Sequence, residues 1–548
     1  MDSAFHIEIG GEILFRPRAE TEIILRYEAE RHLREGYSTG TYSDRAKINE
    51  ILQYQFGYYH AVISTEMEKL ASADLLRCIL DQYDKATAIE FEAKANALTY
   101  DERKYWSEKG PLIRRSLKHI AELVAAKGLK KHQDTPRPSL LLGLETICVC
   151  GEMLVHLYIL SDQTYGIHPD QTTFKILPEG GEIYWDLAIE HPKQFEDFSR
   201  RVTADRNVRD NFLIGKQPNV DTAFQSRILN SICEQELGFS YQTAVDTLVE
   251  ITDGVQCAPN DFDVPVTSRS SVLDWLRIER GWTAKAAELL LDGFTVLFDR
   301  ASAEGRQVWK PKREYRPTRR GFLELTHETG HHLAWSRRMA RECLLLLRDG
   351  TIFQRFPREW RTSSTNRALG QLQNAAGKWF ENEVDRNLQR AGILGRASLK
   401  KKIGVGDTSI QIPGDIGEID FLGYLPNEAL IIVVECKMVD AGHEPSLIRD
   451  DISKFAMGDK CYAEQLRRKF DWVQNNIGPI SRSLRTIIPN LPAIEPQRVA
   501  GALVTLYPTY ASYFIPDFPC VSLSELMTGI QELNKWPYVD GVISISSH

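Results

Sequence analysis

The chain has 548 residues, of which 43% are hydrophobic and 26% are charged, and its formal net charge at pH 7 is −8. The length predicts about three to four domains, and the composition is that of a globular rather than a disordered chain. The nine cysteines are odd in number and include no Cys-x-x-Cys pair, which argues against a disulfide framework or a zinc ribbon and predicts a cytoplasmic location.

The N-terminal part of the chain is predicted to be mainly helical. It opens with strand, two-glycine turn and strand over His6–Phe15, after which apolar residues recur at helical spacing. The predicted helices in the first 160 residues are Glu20–Arg34, Lys47–Phe56, Ile63–Tyr83, Pro111–Ala126 and Leu140–Leu160. We interpret residues 1–257 as a mostly α-helical domain with β-hairpins, which could hold a regulatory partner or a homo-oligomer contact.

The most apolar stretch, Leu140–Leu160, is predicted to be a buried or dimer-forming helix. Glu145, Glu152 and His156 interrupt it, so we expect neither a membrane span here nor a signal peptide at the N-terminus. A metal site at these three residues is the alternative, but their spacing differs from the Glu-x-x-His of di-iron bundles.

Residues 258–361 are predicted to be a helical segment followed by a basic hairpin and helix that connect two larger domains. The segment Arg306–Arg361 holds 14 Lys and Arg against 6 Asp and Glu, in a chain that is acidic as a whole. Such a concentration of positive charge predicts a surface that contacts nucleic-acid phosphates, with Arg337, Arg338 and Arg341 on one predicted helix. A solvated connector is the alternative.

Within that segment, His327-Glu328-Thr329-Gly330-His331 matches the HExxH signature of zinc metalloproteases. That chemistry requires a helix, so that both histidines share one face. The flanking residues alternate like strands, and Glu328-Thr329-Gly330 has the composition of a turn. We therefore predict a hairpin that separates the two histidines, with a zinc metalloprotease through His327, Glu328 and His331 as an alternative function.

Residues 362–548 are predicted to be organised around a β-hairpin over Gly417–Lys437. Apolar and polar residues alternate in its first arm, which puts Glu418 and Asp420 on one face. The second arm begins with the β-branched run Leu430–Val434, which is typical of a buried strand.

The second arm ends abruptly in Glu435-Cys436-Lys437. A turn centred between Asn427 and Glu428 places Asp420 opposite Glu435, with Lys437 on the same face. Two converging carboxylates repel one another unless a hard divalent cation, typically Mg²⁺, binds between them. A neighbouring ammonium then stabilises the negative transition state of phosphodiester hydrolysis.

Asp420, fourteen intervening residues and Glu435-Cys436-Lys437 resemble the PD-(D/E)xK signature of the restriction-endonuclease-like nuclease superfamily, with Ile419 in place of the motif's proline. The resemblance covers the C-terminal third of the chain. It implies an α/β domain with a mixed central sheet flanked by helices, in which Asp420, Glu435 and Lys437 are catalytic. It also implies metal ligation by Asp420, Glu435 and the backbone carbonyl of Cys436, with Mg²⁺ as cofactor and Mn²⁺ as a substitute.

Two predicted helices extend the resemblance on either side of the hairpin. The helix Ser364–Ala391 places Glu381 where the superfamily has a helix glutamate, which approaches the metal directly or through water. The stretch Asp450–Asn476 carries Tyr462, Gln465 and Lys469 on one side, and Gln465 matches the polar residue that the family often has there.

The sequence as a whole predicts an α+β multidomain protein with a helical N-terminal region and a nuclease-like C-terminal domain. Its expected function is Mg²⁺-dependent hydrolysis of nucleic-acid phosphodiesters, with DNA as the expected substrate and restriction, repair or genome defence as the expected role. The alternative is a nucleic-acid-binding protein whose nuclease fold has lost catalysis.

Overall fold

A computed structural model describes residues 6–70, 72–127, 137–168, 172–181, 183–189, 192–254, 262, 264–297, 316–327, 330–440, 445–488, 491, 496–538 and 542–544. The chain divides into two compact units, the first of which comprises Met1–Glu190 and Thr222–Leu369. The second comprises His191–Asp221 and Gly370–His548. The protein is a mixed α+β protein, as predicted.

The described helices, in chain order, are α1 Ala19–Gly36, α2 Arg45–Glu68, α3 Ser72–Lys94, α4 Tyr100–Ala126, α5 Arg137–Asp162, α6 Pro192–Val208, α7 Thr222–Leu237, α8 Tyr241–Gly254, α9 Arg269–Ile278, α10 Ala284–Phe294, α11 Arg337–Thr351, α12 Ser363–Arg390, α13 Pro445–Ala456, α14 Tyr462–Asn475, α15 Ile477–Arg485 and α16 Leu523–Leu533.

The described strands are β1 His6–Ile9, β2 Glu12–Phe15, β3 Gly40–Tyr42, β4 Thr172–Ile176, β5 Trp185–Ile189, β6 Val266–Ser268, β7 Thr295–Val296, β8 Phe322–His327, β9 Gly330–Ala334, β10 Leu394–Leu399, β11 Lys402–Ile403, β12 Ile410–Gln411, β13 Ile419–Leu425, β14 Leu430–Lys437, β15 Arg498–Thr505, β16 Cys520–Ser522 and β17 Val542–Ser544.

The first unit is built on the long helices α2 to α5, which pack on one another around an apolar core. Helix α5 passes through this core, and its two glutamates are neutralised by arginines that precede α1: Glu145 pairs with Arg18 at 2.7 Å, and Glu152 pairs with Arg16. Among the described residues, the stretch Leu140–Asp162 of α5 is the one helix apolar and long enough to cross a membrane. Most of it is buried within the protein, which is typical of a core helix of a soluble protein.

The predicted connector, residues 258–361, is placed differently by the structure, because its described part folds into the first unit. Strands β6, β9, β8 and β7 form one sheet in that order. Arg320 is buried there and donates to Glu359 at 2.8 Å and to the Thr295 carbonyl oxygen at 3.2 Å. The predicted boundary at residues 257 and 258 lies outside the described residues.

The second unit is organised by a mixed sheet with the strand order β10-β13-β14-β15-β16, and β17 pairs with β15. Neighbouring strands are antiparallel from β10 to β14, and β14, β15 and β16 are parallel. The carboxyl ends of β10, β14, β15 and β16 and the amino end of β13 therefore meet at one edge of the sheet. We call it the active-site edge, because the candidate residues lie there.

The segment His191–Asp221, which the sequence analysis assigned to the N-terminal domain, belongs to the second unit. Arg201 of α6 donates to Glu525 at 2.7 Å and to Ser512 at 2.7 Å. Asn387 of α12 donates to the carbonyl oxygen of Phe212 at 2.7 Å. A stretch some 150 residues distant in sequence is thus an integral part of the C-terminal unit.

Candidate active site

The hairpin of β13 and β14 forms with the predicted register. Phe421 pairs with Val434 and Leu425 with Leu430, and continuing this register places Asp420 opposite Glu435. The connecting turn is a short 3₁₀ segment, Pro426–Glu428, followed by Ala429 with a φ of 47°. The hairpin prediction and its register are therefore confirmed.

Asp420 is the second residue of β13, at the active-site edge, and is 8% exposed. Its Oδ2 accepts a hydrogen bond of 2.8 Å from the backbone N–H of Cys436, which fixes the carboxylate against β14. Burial and the charge of Glu435 raise the pKa of Asp420 to about 7, against the opposing effect of Lys437 and Lys469. The charge of Glu435 thus disfavours the charged form of Asp420, as their positions in the sequence predicted.

Glu435 is 1% exposed, and each of its two oxygens accepts from a different lysine. Lys437 Nζ lies 2.5 Å from Oε1, and Lys469 Nζ donates to Oε2. The nearby carboxylates raise the pKa of Lys437, although burial acts in the opposite direction. Lys437 Nζ also lies 4.8 Å from the ring centroid of Tyr462, a cation–π contact that holds this ammonium at the site.

Lys469, rather than Gln465, is the residue that α14 places among the carboxylates. Its ammonium lies 3.9 Å from Asp420 Oδ1 in addition to its contact with Glu435. Gln465 instead donates to the carbonyl oxygen of Lys460 at 2.9 Å. Tyr462 and Lys469 are seven residues apart, which is two helical turns, so both lie on one face of the helix. This spacing is the sequence signal for Lys469. The sequence predicted that face with Gln465 as the site residue, and the structure places Lys469 rather than Gln465 beside Glu435.

Glu381 of α12 lies near the hairpin but is engaged elsewhere. Its Oε2 accepts from Ser398 at 2.8 Å and pairs with Lys378 at 3.1 Å. Its neighbour Glu383 is buried, pairs with Arg386, and accepts from the backbone N–H of Ile214 at 3.2 Å. Glu383 therefore stabilises the packing of the 191–221 segment. Glu381 stays the candidate site residue on this helix.

The donor atoms at the active-site edge suit a hard divalent cation in their chemistry. Asp420 and Glu435 offer carboxylate oxygens, and the carbonyl of Cys436 points to the same side of β14 as its N–H, towards Asp420. Across the described residues, no three His, Cys, Asp or Glu side chains converge as a metal cluster. A cation here would be held by two side chains and a carbonyl.

Replacing Asp420 with Asn should make the metal-free protein relatively more stable as the pH rises. The folded state holds a proton on Asp420 up to about pH 7, whereas an unfolded chain releases it near pH 4. The contribution of Asp420 to the free energy of unfolding therefore falls as the pH rises between those values. Urea unfolding in EDTA would measure this at two pH values. The free energy of unfolding of Asp420→Asn, relative to that of the parent, should be higher at pH 8 than at pH 5.

The half-exposed Glu418, which pairs with Lys400 at 3.6 Å, provides the control for this measurement. Glu418→Gln should change stability by a similar small amount at both pH values. A pH-independent effect of Asp420→Asn would contradict the raised pKa.

The two histidines of the HExxH match lie on two paired antiparallel strands, as the hairpin prediction requires. His327 ends β8 and pairs with Gly330, while His331 lies in β9 and pairs with Thr326. His331 Nδ1 lies 3.7 Å from Glu324. Glu328 is outside the described residues. The zinc-metalloprotease alternative requires both histidines on one helix, so the two strands argue against it.

The three arginines of the predicted phosphate surface lie on α11 in the first unit. Arg341 Nε donates to Asp253 at 3.0 Å, and the Arg338 guanidinium lies 5.8 Å from the ring centroid of Phe91. Arg337 occupies the first turn of the helix. Part of this charge is thus already neutralised within the protein.

No protein-family model, no curated protein and no solved structure matches this chain. The functional interpretation therefore rests on the residues and their geometry.

Proposed function

We propose that this protein is a metal-dependent nuclease that hydrolyses phosphodiester bonds in nucleic acid, with DNA as the expected substrate. The observation that supports the proposal is the buried pair Asp420 and Glu435, which face one another at a sheet edge with the ammonium of Lys437 beside them. Buried carboxylates at such an edge are costly to keep charged, and a structural role alone does not require them.

Asp420, Glu435 and the Cys436 carbonyl would hold Mg²⁺, with Mn²⁺ as a substitute. Such an ion, when bound, supplies Lewis-acid stabilisation of the phosphate and a nucleophilic water. The Cys436 N–H orients Asp420, and the Tyr462 ring holds Lys437 at the edge. The Lys437 ammonium then stabilises the negative charge that develops on the phosphate.

The order of elements in the second unit also supports the proposal. Helix α12 is followed by the antiparallel strands β10, β13 and β14, then by helices α13 to α15, the parallel strand β15 and helix α16. This is the order of helix, strands, helix, strand and helix that the PD-(D/E)xK resemblance implies. A restriction-endonuclease-like domain, and a cytoplasmic role in restriction, repair or genome defence, belong to the same proposal.

A second group of cations lies in the same unit as the carboxylates, whereas the arginines of α11 belong to the first unit. Lys400, Lys401 and Lys402 follow β10 directly, are exposed, and stand at the active-site edge, where Leu399 pairs with Ile419 beside Asp420. Phosphates of a bound strand would meet this lysine run next to the scissile bond. We therefore assign the principal phosphate contacts to the lysine run and a secondary role to Arg337, Arg338 and Arg341.

Replacing Lys400, Lys401 and Lys402 with Ala should weaken DNA binding more than replacing Arg337, Arg338 and Arg341. Each lost contact to duplex phosphate should reduce the slope of log affinity against log salt by about 0.9. Arg341 is already paired with Asp253 and Lys400 with Glu418, so the loss of either should change this slope by less than a full contact. Fluorescence anisotropy across a salt series, with Ca²⁺ in place of Mg²⁺, would measure both slopes, and a larger effect of the arginine variant would reverse the assignment.

One observation favours the alternative of a nucleic-acid-binding protein without catalysis. Both oxygens of Glu435 already accept from lysines, so the site is partly neutralised without a metal. Under this alternative the protein binds nucleic acid but leaves its phosphodiesters intact, whether or not Mg²⁺ is present.

Purified protein incubated with supercoiled, linear and single-stranded DNA and with RNA would separate the two functions. Cleavage that requires Mg²⁺ and is absent from a Glu435→Gln protein purified in parallel supports the nuclease. Binding to these substrates without cleavage, in Mg²⁺ or Mn²⁺, would instead establish the non-catalytic alternative.

A further inference from the structure

The second lysine of the site, Lys469, is buried on the interior side of the carboxylates. It is 6% exposed, and α14 holds it between the buried residues Leu466, Phe470 and Val473. Its ammonium donates to Glu435 Oε2 and lies 3.9 Å from Asp420 Oδ1. One protein cation therefore contacts both carboxylates that the proposed function assigns to metal binding.

The two lysines reach the carboxylates from different directions. The Lys437 side chain is 21% exposed and comes from the end of β14, whereas the Lys469 side chain is 7% exposed and comes from the core side of α14. Lys437 can thus face a substrate, whereas the Lys469 side chain is too little exposed to do so. An ammonium in this place neutralises the carboxylates from within the fold.

We propose that Lys469 is the resident cation of the site: it holds Asp420 and Glu435 together in the metal-free protein and yields Glu435 Oε2 to a divalent cation. This inference rests on the proposed metal site. A buried carboxylate pair without any cation would be strongly destabilising, because each charge has lost its water. Lys469 supplies that cation internally, and in doing so it competes with the metal for the same oxygens.

Two opposite effects of removing this ammonium follow. The metal-free protein loses the charge that compensates Asp420 and Glu435, so its melting temperature falls. In the metal-bound protein the ion supplies that compensating charge. Because the ion no longer competes with an ammonium for Glu435, the ion binds more tightly. A lysine with only a structural role would give the first effect without the second, which makes metal affinity the decisive quantity.

Lys469→Met, which keeps an unbranched apolar stem and removes the ammonium, tests the proposal with Mn²⁺ as the probe. In EDTA its melting temperature should fall by several degrees, and saturating Mn²⁺ should restore it to within about two degrees of the parent. Calorimetric titration should give an apparent Kd for Mn²⁺ at least tenfold lower than that of the parent. Lys469→Arg, which keeps the charge, should not tighten Mn²⁺ binding.

Arg468→Met on the exposed side of the same helix is the matched control and should leave Mn²⁺ affinity unchanged. Equal Mn²⁺ affinities for Lys469→Met and the parent, or a variant that stays unfolded when Mn²⁺ is present throughout purification, would overturn the role of Lys469. A parent protein that binds no Mn²⁺ would instead refute the metal site of the proposed function, so the two failures are distinguishable.

Discussion

Asp420→Ala, Glu435→Ala and Lys437→Ala should each abolish Mg²⁺-dependent cleavage of DNA while the fold remains intact. Asp420 and Glu435 are the two side chains that would hold the ion, so either substitution removes charge that the cation needs. Lys437→Ala should still bind Mn²⁺ and DNA but should lower kcat by about 10²–10³-fold, since its ammonium acts on the transition state. Single-turnover cleavage, Mn²⁺ titration and circular dichroism would measure these effects separately.

Cys436 and Glu418 offer matched controls within the same hairpin. Cys436→Ala keeps the backbone N–H that donates to Asp420 and should retain most of the activity. Burial raises the pKa of the Cys436 thiol well above its usual value, so the side chain stays a protonated thiol with no role as a nucleophile. Glu418→Ala removes an acid two residues from Asp420 and should also retain activity. Full activity in all three variants of the catalytic residues would refute the assignment of the site.

Asp205→Ala should destabilise the second unit by about 3–5 kcal/mol, the usual effect of breaking a buried ion pair on one side. Asp205 of α6 is 1% exposed and accepts from Arg209 Nε at 2.8 Å and from the hydroxyl of Ser524. The Arg209 guanidinium lies 4.2 Å from the ring centroid of Tyr507, so it would keep its place and lose its charge partner. Urea unfolding would measure the loss in the free energy of unfolding.

The same helix provides the control, because Arg200 forms an exposed ion pair with Asp197. Arg200→Ala should cost at most about 1 kcal/mol, as exposed pairs do.

A fragment of residues 362–548 should be poorly soluble alone and should gain protease resistance when residues 191–221 are supplied as a peptide. A stable isolated fragment, or equal effects of the two substitutions, would contradict the assignment of this segment to the second unit.

The sequence determined the local structure of the site. The alternation in β13, the β-branched run of β14 and the turn between them establish a register in which Asp420 meets Glu435. Such a register depends on residues close in sequence, so the period of two is sufficient to predict it. Strand alternation and turn residues are local signals as well, so the sequence also distinguishes the hairpin of β8 and β9 from a metal-binding helix.

The tertiary structure alone decided which distant residues join the site and the domain. Lys469 and Gln465 lie on one helix face, and only the packing of α14 against the sheet determines that the lysine reaches Glu435. The 191–221 segment lies in the second unit through contacts of Arg201, Asp205 and Asn387 that span more than 170 residues. The pairing of Arg341 with Asp253 likewise depends on how α8 and α11 pack. The spacing of apolar residues predicts which face of a helix is buried, but not which element covers that face. These contacts depend on which faces meet when the chain folds.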